Sequence, residues 1–457
     1  MKIIVLNGSP KGMTSVTMQY VLFLKKKLPQ HDFTILNVCQ DIKKLEGDQQ
    51  AFQAVLDAVA ASDGVLWAFP LYYQLVHANY KRFIELLFAK GGGAFKDKYA
   101  AVLTTSIHFF DHTAHDYLNG ICDDLGMKFV GSYSAAMDDL LKKEERDRLL
   151  LFAKGFLHDI ENGVAVPRRF RPVVHDSPVY APGPPGKRVE TLGKNIVIVN
   201  DAEDPDSNLA KMVERMQTCF QGKASVINLH QINIRGGCLG CCQCGLDNVC
   251  VYENADDVCE VYRKLMAADI VILAGSVQDR YLSSRWKMFF DRGFFMNHVP
   301  IFLGKQMACL VAGPLGQLAT LRQILQGYIE TQEANLIGIV TDECASSEEL
   351  DGLLDSLAGR LTDCAAAGYV QPMTFLGVGS KKLFRDEIWA ELRFLFRKDH
   401  RYYKSHGLYD FPKRSLKTRI VNAAFTLLLL IPGFRREFRK RIKGEMIKPL
   451  QKVVEKS

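Results

Sequence analysis

Five cysteines lie within thirteen residues, and their spacing is the feature of this sequence that points most directly to chemistry. The segment reads C-x2-C-x2-C-x5-C through Cys238, Cys241, Cys244 and Cys250, with Cys242 as a fifth thiol. Thiolates are ligands for soft metals, and four of them on one compact loop suit a [4Fe-4S] cluster. A zinc ion is the alternative, although four-thiolate zinc sites usually consist of two separated C-x2-C pairs. The segment therefore predicts a metal centre, with iron–sulfur favoured over zinc.

The composition indicates a soluble protein with more than one domain. The chain has 457 residues, of which 48% are hydrophobic and 24% charged, and this length suggests roughly two or three domains. The N-terminus runs straight into a short apolar strand without a signal-peptide pattern, so we expect a cytoplasmic protein, in which disulfides are the weakest explanation of the cysteines.

The net charge of +7 is unevenly distributed. Residues 411–457 hold 13 Lys and Arg against 3 Glu, which gives 13 − 3 = +10 and leaves 7 − 10 = −3 for the other 410 residues. The positive charge belongs to the C-terminal end, and no nucleic-acid partner is expected.

Alternating strand and helix patterns predict a doubly wound α/β domain in residues 1–165. A parallel sheet covered on both faces binds ligands at the carboxyl ends of its strands. The apolar patterns place strands at residues 2–7, 33–38, 64–69, 99–105 and 129–133, and helices at residues 18–28, 52–60, 80–87, from about 117 and at 139–160.

The pattern then returns after a proline-rich segment. Residues 166–193, with six prolines, predict a semi-rigid linker. Asn195–Asn200 repeats Lys2–Asn7 at an offset of 193, and Ala267–Ala274 repeats Ala61–Ala68 at an offset of 206. The difference of 13 matches the cysteine segment. We therefore expect a tandem duplication, with a second α/β domain at 194–376 that carries a cysteine insertion after its second strand, and a helical, basic C-terminal region at 377–457.

The two domains differ at the turn after their first strand. Domain one has a Gly/Ser-rich turn, Gly8 to Ser15, which offers the hydroxyls of Ser9, Thr14 and Ser15 and the cation Lys11 at the start of a helix. Such a turn suits a phosphate, although an ordinary capped turn is equally consistent with this motif alone. Domain two has Asp201 to Asn208 in this place, with four carboxylates that would repel a phosphate.

These motifs resemble those of the flavodoxin-like NADPH-dependent FMN reductases and the iron–sulfur flavoproteins, over residues 1–165 and 194–376. Gly8-Ser9-Pro10-Lys11 is similar to the G-S-x-R phosphate loop of the first family, with Lys in place of Arg. The resemblance implies that FMN contacts two further loops, and that the cysteine cluster of domain two docks beside the single FMN of domain one. The implied FMN contacts are Ser9, Lys11, Thr14, Ser15, Pro70, Leu71, Tyr72, Tyr73 and Ser106, and the implied cluster ligands are Cys238, Cys241, Cys244 and Cys250.

No catalytic residue is assigned from the sequence. His108, His112 and His115 follow the fourth strand, where they would be available as proton donors, but histidines in such a loop are more often simply solvated. The seven remaining cysteines are expected to be buried small side chains.

The C-terminal region combines apolar and basic segments. Residues 420–431 are mostly apolar but too short to span a bilayer, and 434–443 are strongly basic. This combination suits peripheral contact with the anionic inner face of a membrane, and a helix packed on the domains or on a second chain, as in a homodimer, is the alternative.

Together these features predict a flavin- and iron–sulfur-dependent oxidoreductase that passes electrons between the cluster and FMN and reduces a small molecule or a redox protein. NAD(P)H is one candidate donor, although no dinucleotide fingerprint is present. One alternative is an FMN-dependent NAD(P)H:quinone or nitro reductase with a structural zinc. The other is a non-catalytic scaffold stapled by zinc.

Overall fold

The structure is a computed structural model of the whole chain. It divides into two compact units, residues 1–402 and residues 403–457. The residues it describes are 1–184, 186, 188–222, 224–296, 298–411 and 416–455.

The first domain is a five-stranded parallel sheet with helices on both faces, as predicted. The strand order is β2-β1-β3-β4-β5, with every neighbouring pair parallel. The three central strands are mostly apolar because both of their faces are buried, whereas the two edge strands are partly exposed. The elements are β1 (Lys2–Asn7), α1 (Val16–Lys27), β2 (Asp32–Leu36), α2 (Ile42–Gly47), α3 (Gln49–Ala60), β3 (Gly64–Pro70), α4 (Ala78–Lys90), β4 (Tyr99–Ser106), α5 (Asp111–Asp124), β5 (Lys128–Ala136) and α6 (Lys143–Glu161).

The second domain repeats this topology, with the order β9-β7-β10-β11-β12. A two-residue pair, β6 with β8, lies outside the main sheet. The elements are β6 (Val189–Glu190), β7 (Ile196–Asn200), α7 (Asn208–Thr218), β8 (Phe220–Gln221), β9 (Ser225–Asn228), α8 (Val258–Ala267), β10 (Ile270–Ser276), α9 (Ser284–Arg292), β11 (Gln306–Ala312), α10 (Ala319–Thr331), β12 (Asn335–Thr341) and α11 (Ser347–Ala366).

The two domains share irregular details as well as topology. The register between the fourth and fifth strands shifts at Ala100/Ala101 in domain one and at Met307/Ala308 in domain two. The loop after the third strand is closed by a two-residue bridge in each domain, with two left-handed residues inside it, at the same offset of 206. Irregularities of this kind are not dictated by a generic α/β fold, so they support the tandem duplication. The cysteine segment lies between β9 and α8, where the change of offset places it.

The domains pack through α4 and α9 in a pseudo-symmetric manner. The Glu85 carboxylate of α4 accepts hydrogen bonds from the backbone N–H and hydroxyl of Ser284, both at 2.6 Å, at the start of α9. Asp291 of α9 accepts from the Ala78 N–H, at 2.8 Å, at the start of α4. Each carboxylate thus caps the helix of the other domain. One buried apolar cluster continues through both domains, so the loops at their junction are held in a fixed relation.

The predicted helix that differs most from the structure is the one after the fourth strand. The helix expected from about residue 117 begins at Asp111, directly after Phe110 in a left-handed conformation. The first helix after the second domain, α12 (Phe375–Ala390), begins after Thr374, whose side chain caps it. Thr374 is itself held by the Glu330 carboxylate, a contact that the local pattern does not reveal.

The remaining elements are helical. α12 packs against α10, and it is followed by α13 (Arg397–Ser405), α14 (Leu416–Leu428) and α15 (Pro432–Val454). Among the described residues no single helix is long and apolar enough to cross a membrane, whereas Leu416–Leu428 and Pro432–Ile442, bent by 119° at their junction, pass that test of length and composition as a pair.

Candidate functional site

The glycine-rich turn of domain one, Gly8 to Ser15, leads directly into the N-terminus of α1. The Ser15 hydroxyl caps the helix by accepting from the Met18 N–H at 3.2 Å. The Ser9 hydroxyl accepts from the Lys11 N–H at 3.2 Å, and the Thr14 hydroxyl donates to the Lys11 carbonyl at 2.8 Å. The first turn of α1 contains no acidic residue. A helix N-terminus, three hydroxyls and one cation fit the phosphate group of FMN.

The equivalent turn of domain two is filled by an aspartate. In domain one, a Cβ at Gly8 would lie 2.7 Å from both Phe69 and Tyr80. In domain two, the residue equivalent to Gly8 is Asp201, and the space is restored because Gly275 replaces Phe69. Domain one thus has its glycine after the first strand, and domain two has its glycine in the third strand.

Asp201 makes this turn unsuitable for a phosphate. Its carboxylate is buried and accepts a hydrogen bond from the Ser283 hydroxyl, while its second oxygen has no partner among the described residues. Burial raises the pKa of Asp201 to about 6, so it is largely ionised at neutral pH. Glu203, Asp204 and Asp206 follow in the same turn. The intact phosphate loop is therefore that of domain one.

The loop at the end of β3, Pro70 to Tyr73, is one of the two further loops that the resemblance implies to contact FMN, and it is called the ring loop below. Its two tyrosines point in different directions. Tyr73, with φ 36°, packs on Phe294 and Tyr328 of domain two, with ring centroids 6.3 and 5.9 Å away. Tyr72 instead meets the edge of His77 at 4.8 Å. Burial raises the Tyr72 pKa far above its ordinary value, and the nearby Cys238 thiol adds to the effect. Of the two tyrosines, Tyr72 faces the cysteine segment and Tyr73 holds the domain interface.

The loop after β4 is held by its own polar contacts. The buried Ser106 hydroxyl accepts from the His108 N–H at 2.8 Å. His108 Nδ1 lies 2.9 Å from the Asp111 carboxylate. His115 Nε2 lies 2.8 Å from the Thr104 hydroxyl, and burial lowers its pKa to about 4, so it is neutral at neutral pH.

The five cysteines of the segment line one small pocket, together with Tyr252, Arg292, Phe294 and Phe295. Burial raises the Cys238 pKa to about 12, and neighbouring groups including Cys241 and Cys250 contribute. A hydrogen bond with Cys259 lowers the pKa of Cys250, and the nearby Arg292 guanidinium lowers it further. Across the part of the chain that the structure describes, no three His, Cys, Asp or Glu side chains are grouped as ligands of a metal ion. The five thiols therefore line one pocket, but they are not placed as a set of ligands around a metal ion.

The cysteine segment lies directly on the phosphate and ring loops of domain one. Gly240, with φ +63°, is so close that a Cβ there would lie 2.2 Å from the Tyr72 hydroxyl and 2.8 Å from Lys11 Cε. His77 Nε2 lies 2.8 Å from the Cys238 carbonyl oxygen, across the domain boundary. Residues predicted for the flavin and for the metal are thus brought into contact.

His77 is a site residue that the sequence does not reveal. Its Nδ1 accepts from the Asn79 N–H at 3.1 Å and lies 3.3 Å from Cys39 Sγ. Burial lowers its pKa, so the ring is neutral and its Nε2–H donates to Cys238. Its partner is 161 residues away along the chain, and no local pattern marks that pairing.

Comparison with known families decides the identity of both domains. The model of the NADPH-dependent FMN reductases matches residues 1–140 and again residues 195–339. The chain belongs to the NADPH-dependent FMN reductase family. It is an FMN-dependent oxidoreductase with two copies of the family domain, of which domain one has the loop that fits the cofactor phosphate.

Solved structures resemble one domain of this chain at a time. The flavoenzyme NAD(P)H:(acceptor) oxidoreductase FerB from Paracoccus denitrificans is 19% identical, covering 35% of this chain and 97% of its own, with a TM-score of 0.29. A putative quinone reductase from Klebsiella pneumoniae is 16% identical over 39% of this chain and 90% of its own, with a TM-score of 0.28. General stress protein 14 from Treponema denticola, solved with FMN, is 12% identical over 35% and 98%, with a TM-score of 0.27. A search of curated proteins found no match.

Proposed function

We propose that this family member couples FMN in domain one to a [4Fe-4S] cluster held by Cys238, Cys241, Cys244 and Cys250 in domain two. Electrons would pass between the two centres to a small-molecule substrate or a redox protein, with NAD(P)H as the candidate donor. The observation that carries the proposal is the contact of the cysteine segment with Lys11 and Tyr72 at Gly240. A purely structural metal staple would not need to lie on the flavin loops.

One FMN per chain is expected, held by domain one. Lys11 and the N-terminal dipole of α1 would neutralise the phosphate, and the hydroxyls of Ser9, Thr14 and Ser15 would orient it. Asp201 repels an anion at the corresponding place in domain two.

Burial raises the pKa of Cys238 and Cys244 and so disfavours their thiolates, but two features near the sulfurs favour an anionic iron–sulfur centre. The Gly240 N–H donates to Cys238 Sγ at 3.4 Å, and Arg292 lies beside Cys250 and lowers its pKa. Hydrogen bonds and positive charge near the sulfurs favour thiolate ligands and tune the reduction potential of a cluster. Cys242 is the fifth thiol. Its backbone is left-handed, and its Sγ–H points to the Gly240 carbonyl at 3.7 Å.

The chemistry of the two groups is complementary. FMN exchanges hydrides or single electrons, and a cluster exchanges one electron at a time, so together they convert two-electron into one-electron transfer. The hydrogen bond between His77 and the Cys238 carbonyl holds the cysteine segment against the ring loop. At Gly240 no side chain separates the segment from Tyr72 and Lys11.

The double substitution Cys241→Ala, Cys244→Ala tests the division into two sites. We expect the anaerobically purified parent to contain about one FMN and four iron atoms per chain, and the variant to lose the iron while keeping the flavin. Flavin, iron and zinc are quantified on the same sample beside its visible spectrum. Cys364→Ala, far from the segment in sequence and half-buried, is the control and should keep both.

Two results would overturn the proposal. Zinc in place of iron would leave a plain FMN-dependent NAD(P)H reductase with a structural metal. Loss of flavin together with iron from the double variant would show that the two sites are not separate.

A further inference from the structure

We propose that residues 416–455, the apolar–basic arm, lie on the surface of an anionic lipid bilayer. The arm consists of α14 and α15 with the short connection between them. This inference is independent of the cofactors and goes beyond the proposed function.

The first helix of the arm is apolar and exposed. None of the residues of α14 is buried. Leu427 near the end of this helix is 66% exposed, and Leu430 and Ile431 in the connection that follows are 65% and 54% exposed. α14 contains no acidic residue, and its charges, Lys417 and Arg419, lie near its start. Apolar side chains gathered at this density are characteristic of an interaction surface.

The second helix begins with a cluster of cations. Arg435, Arg436, Arg439 and Lys440 line one groove together with Pro432. Between Pro432 and Arg441 the sequence has one acidic residue, Glu437, and it pairs with Arg441. Positive side chains on adjacent turns form a surface suited to an anionic partner.

The aromatic residues at the bend join the two surfaces. Phe425 of α14 packs on Phe434 and Phe438 of α15, with ring centroids 6.3 and 6.2 Å apart. The helices meet at 119°. The apolar helix and the cationic groove therefore lie next to each other.

Exposed apolar side chains next to a groove lined by cations fit the surface of an anionic bilayer better than they fit other partners. A nucleic acid would pair with the cations but would leave the exposed leucines in water, and an apolar protein groove would leave the cations unpaired. At about 1.5 Å per residue α14 is roughly 20 Å long, shorter than the hydrocarbon core of about 30 Å. A short apolar helix beside a polybasic one lies in the interface, with its apolar side chains among the acyl chains and its cations among the headgroups.

Vesicle flotation of the full-length holoprotein tests the proposal. We expect binding to vesicles that contain phosphatidylglycerol, much weaker binding to pure phosphatidylcholine, and release at high salt. Arg435→Gln, Arg436→Gln, Arg439→Gln in one chain should weaken binding roughly 100-fold. Leu427→Gln, Ile431→Gln should also weaken binding while leaving the charge unchanged. Leu141→Gln, at an 82% exposed site in domain one, is the matched control and should bind like the parent.

The contrary outcomes are distinct. Binding that is equal on neutral and anionic vesicles, or unchanged in the triple-arginine variant, overturns the proposal. Failure to bind vesicles, with self-association in light scattering that Leu427→Gln, Ile431→Gln abolishes, would assign the apolar surface to a second copy of the chain. FMN and iron contents measured on the same samples separate these outcomes from any failure of the cofactor assignment.

Discussion

At the scale of single residues, a glycine allows the cysteine segment of domain two to approach the loops of domain one closely. Gly240 adopts φ +63° and has no room for a side chain beside Tyr72 and Lys11. Both properties require glycine at this position, the first because of backbone strain and the second because of space.

Gly240→Ala should therefore separate the cysteine segment from the flavin loops. We expect a loss of about 1 kcal/mol from backbone strain, together with weaker FMN binding and slower electron exchange, because the Cβ displaces Tyr72 and Lys11. Gly163→Ala is the matched control, since Gly163 has φ +60° and nothing within 4 Å of its Cβ position. Thermal unfolding and FMN titration measure both effects. If the two variants bind FMN equally, Gly240 does not act through the site.

Lys11→Ala tests the phosphate assignment. Losing a charge-assisted hydrogen bond to a phosphate should cost about 1.5–3 kcal/mol of binding, or roughly a 10- to 150-fold increase in the Kd for FMN. Lys26→Ala, exposed on the same first helix, should leave the Kd unchanged. Fluorescence titration of the apoprotein with FMN gives both values. Equal affinities in the two variants would show that Lys11 does not contact the phosphate.

The sequence reveals some site residues and hides others. Lys11, Tyr72 and the cysteines lie in local motifs whose chemistry can be read directly. His77 and Arg292 are visible only in the folded chain, because their partners Cys238 and Asp256 are distant in sequence and the pairing depends on how the domains meet. The resemblance implied that Tyr72 and Tyr73 both contact FMN. In the structure Tyr73 packs on residues of domain two, whereas Tyr72 contacts His77 and the cysteine segment.

At the scale of elements, the junction is stabilised by acids that cap the helices of the opposite domain. Burial disfavours the charged form of Glu85, but Lys81, Ser284 and Arg82 outweigh this and hold its pKa below its ordinary value of 4.5. A carboxylate with a lowered pKa contributes stability that is fully present above its unfolded-state pKa and is lost as the pH falls.

Glu85→Gln should accordingly destabilise the protein in a pH-dependent manner. At pH 7 we expect a loss of about 3 kcal/mol in the free energy of unfolding, because the buried Lys81 loses its nearer carboxylate partner and keeps the more distant Asp279, at 3.5 Å. The difference from the parent should narrow as the pH falls below about 4.5, where the parent also loses the carboxylate. Glu144→Gln, at an exposed position, is the control. A difference that stays constant with pH would contradict the ionic role.

The sequence predicts the elements well where they obey local rules. Buried parallel strands are continuous apolar runs, and all five of those in domain one were recognised. The start of α5 was misplaced because Phe110 adopts a left-handed conformation that no residue pattern requires. The start of α12 depends on Thr374, which is held by Glu330, 44 residues earlier, and no local pattern shows that contact.

At the scale of the whole molecule, the chain carries two copies of one family domain, of which the first has the glycine-rich turn and the second the cysteine segment. The internal repeat predicted the duplicated fold, and the family match to both halves confirms it. The offset change of 13 residues located the cysteine insertion. The sequence could not show how the copies pack, because that depends on side chains such as Glu85 and Asp291 that resemble ordinary surface charges until the second domain is placed beside them.

The central claim, that the cluster of domain two exchanges electrons with the FMN of domain one, is tested most directly by photoreduction. The bound flavin is reduced by light under anaerobic conditions with a sacrificial donor, so that electrons enter at the flavin, and the flavin and iron–sulfur absorption are followed in one sample. The account predicts that the iron–sulfur absorption bleaches together with the flavin, and more slowly in Gly240→Ala. A chain whose flavin is fully reduced while its iron–sulfur absorption is unchanged, or absent, would contradict it.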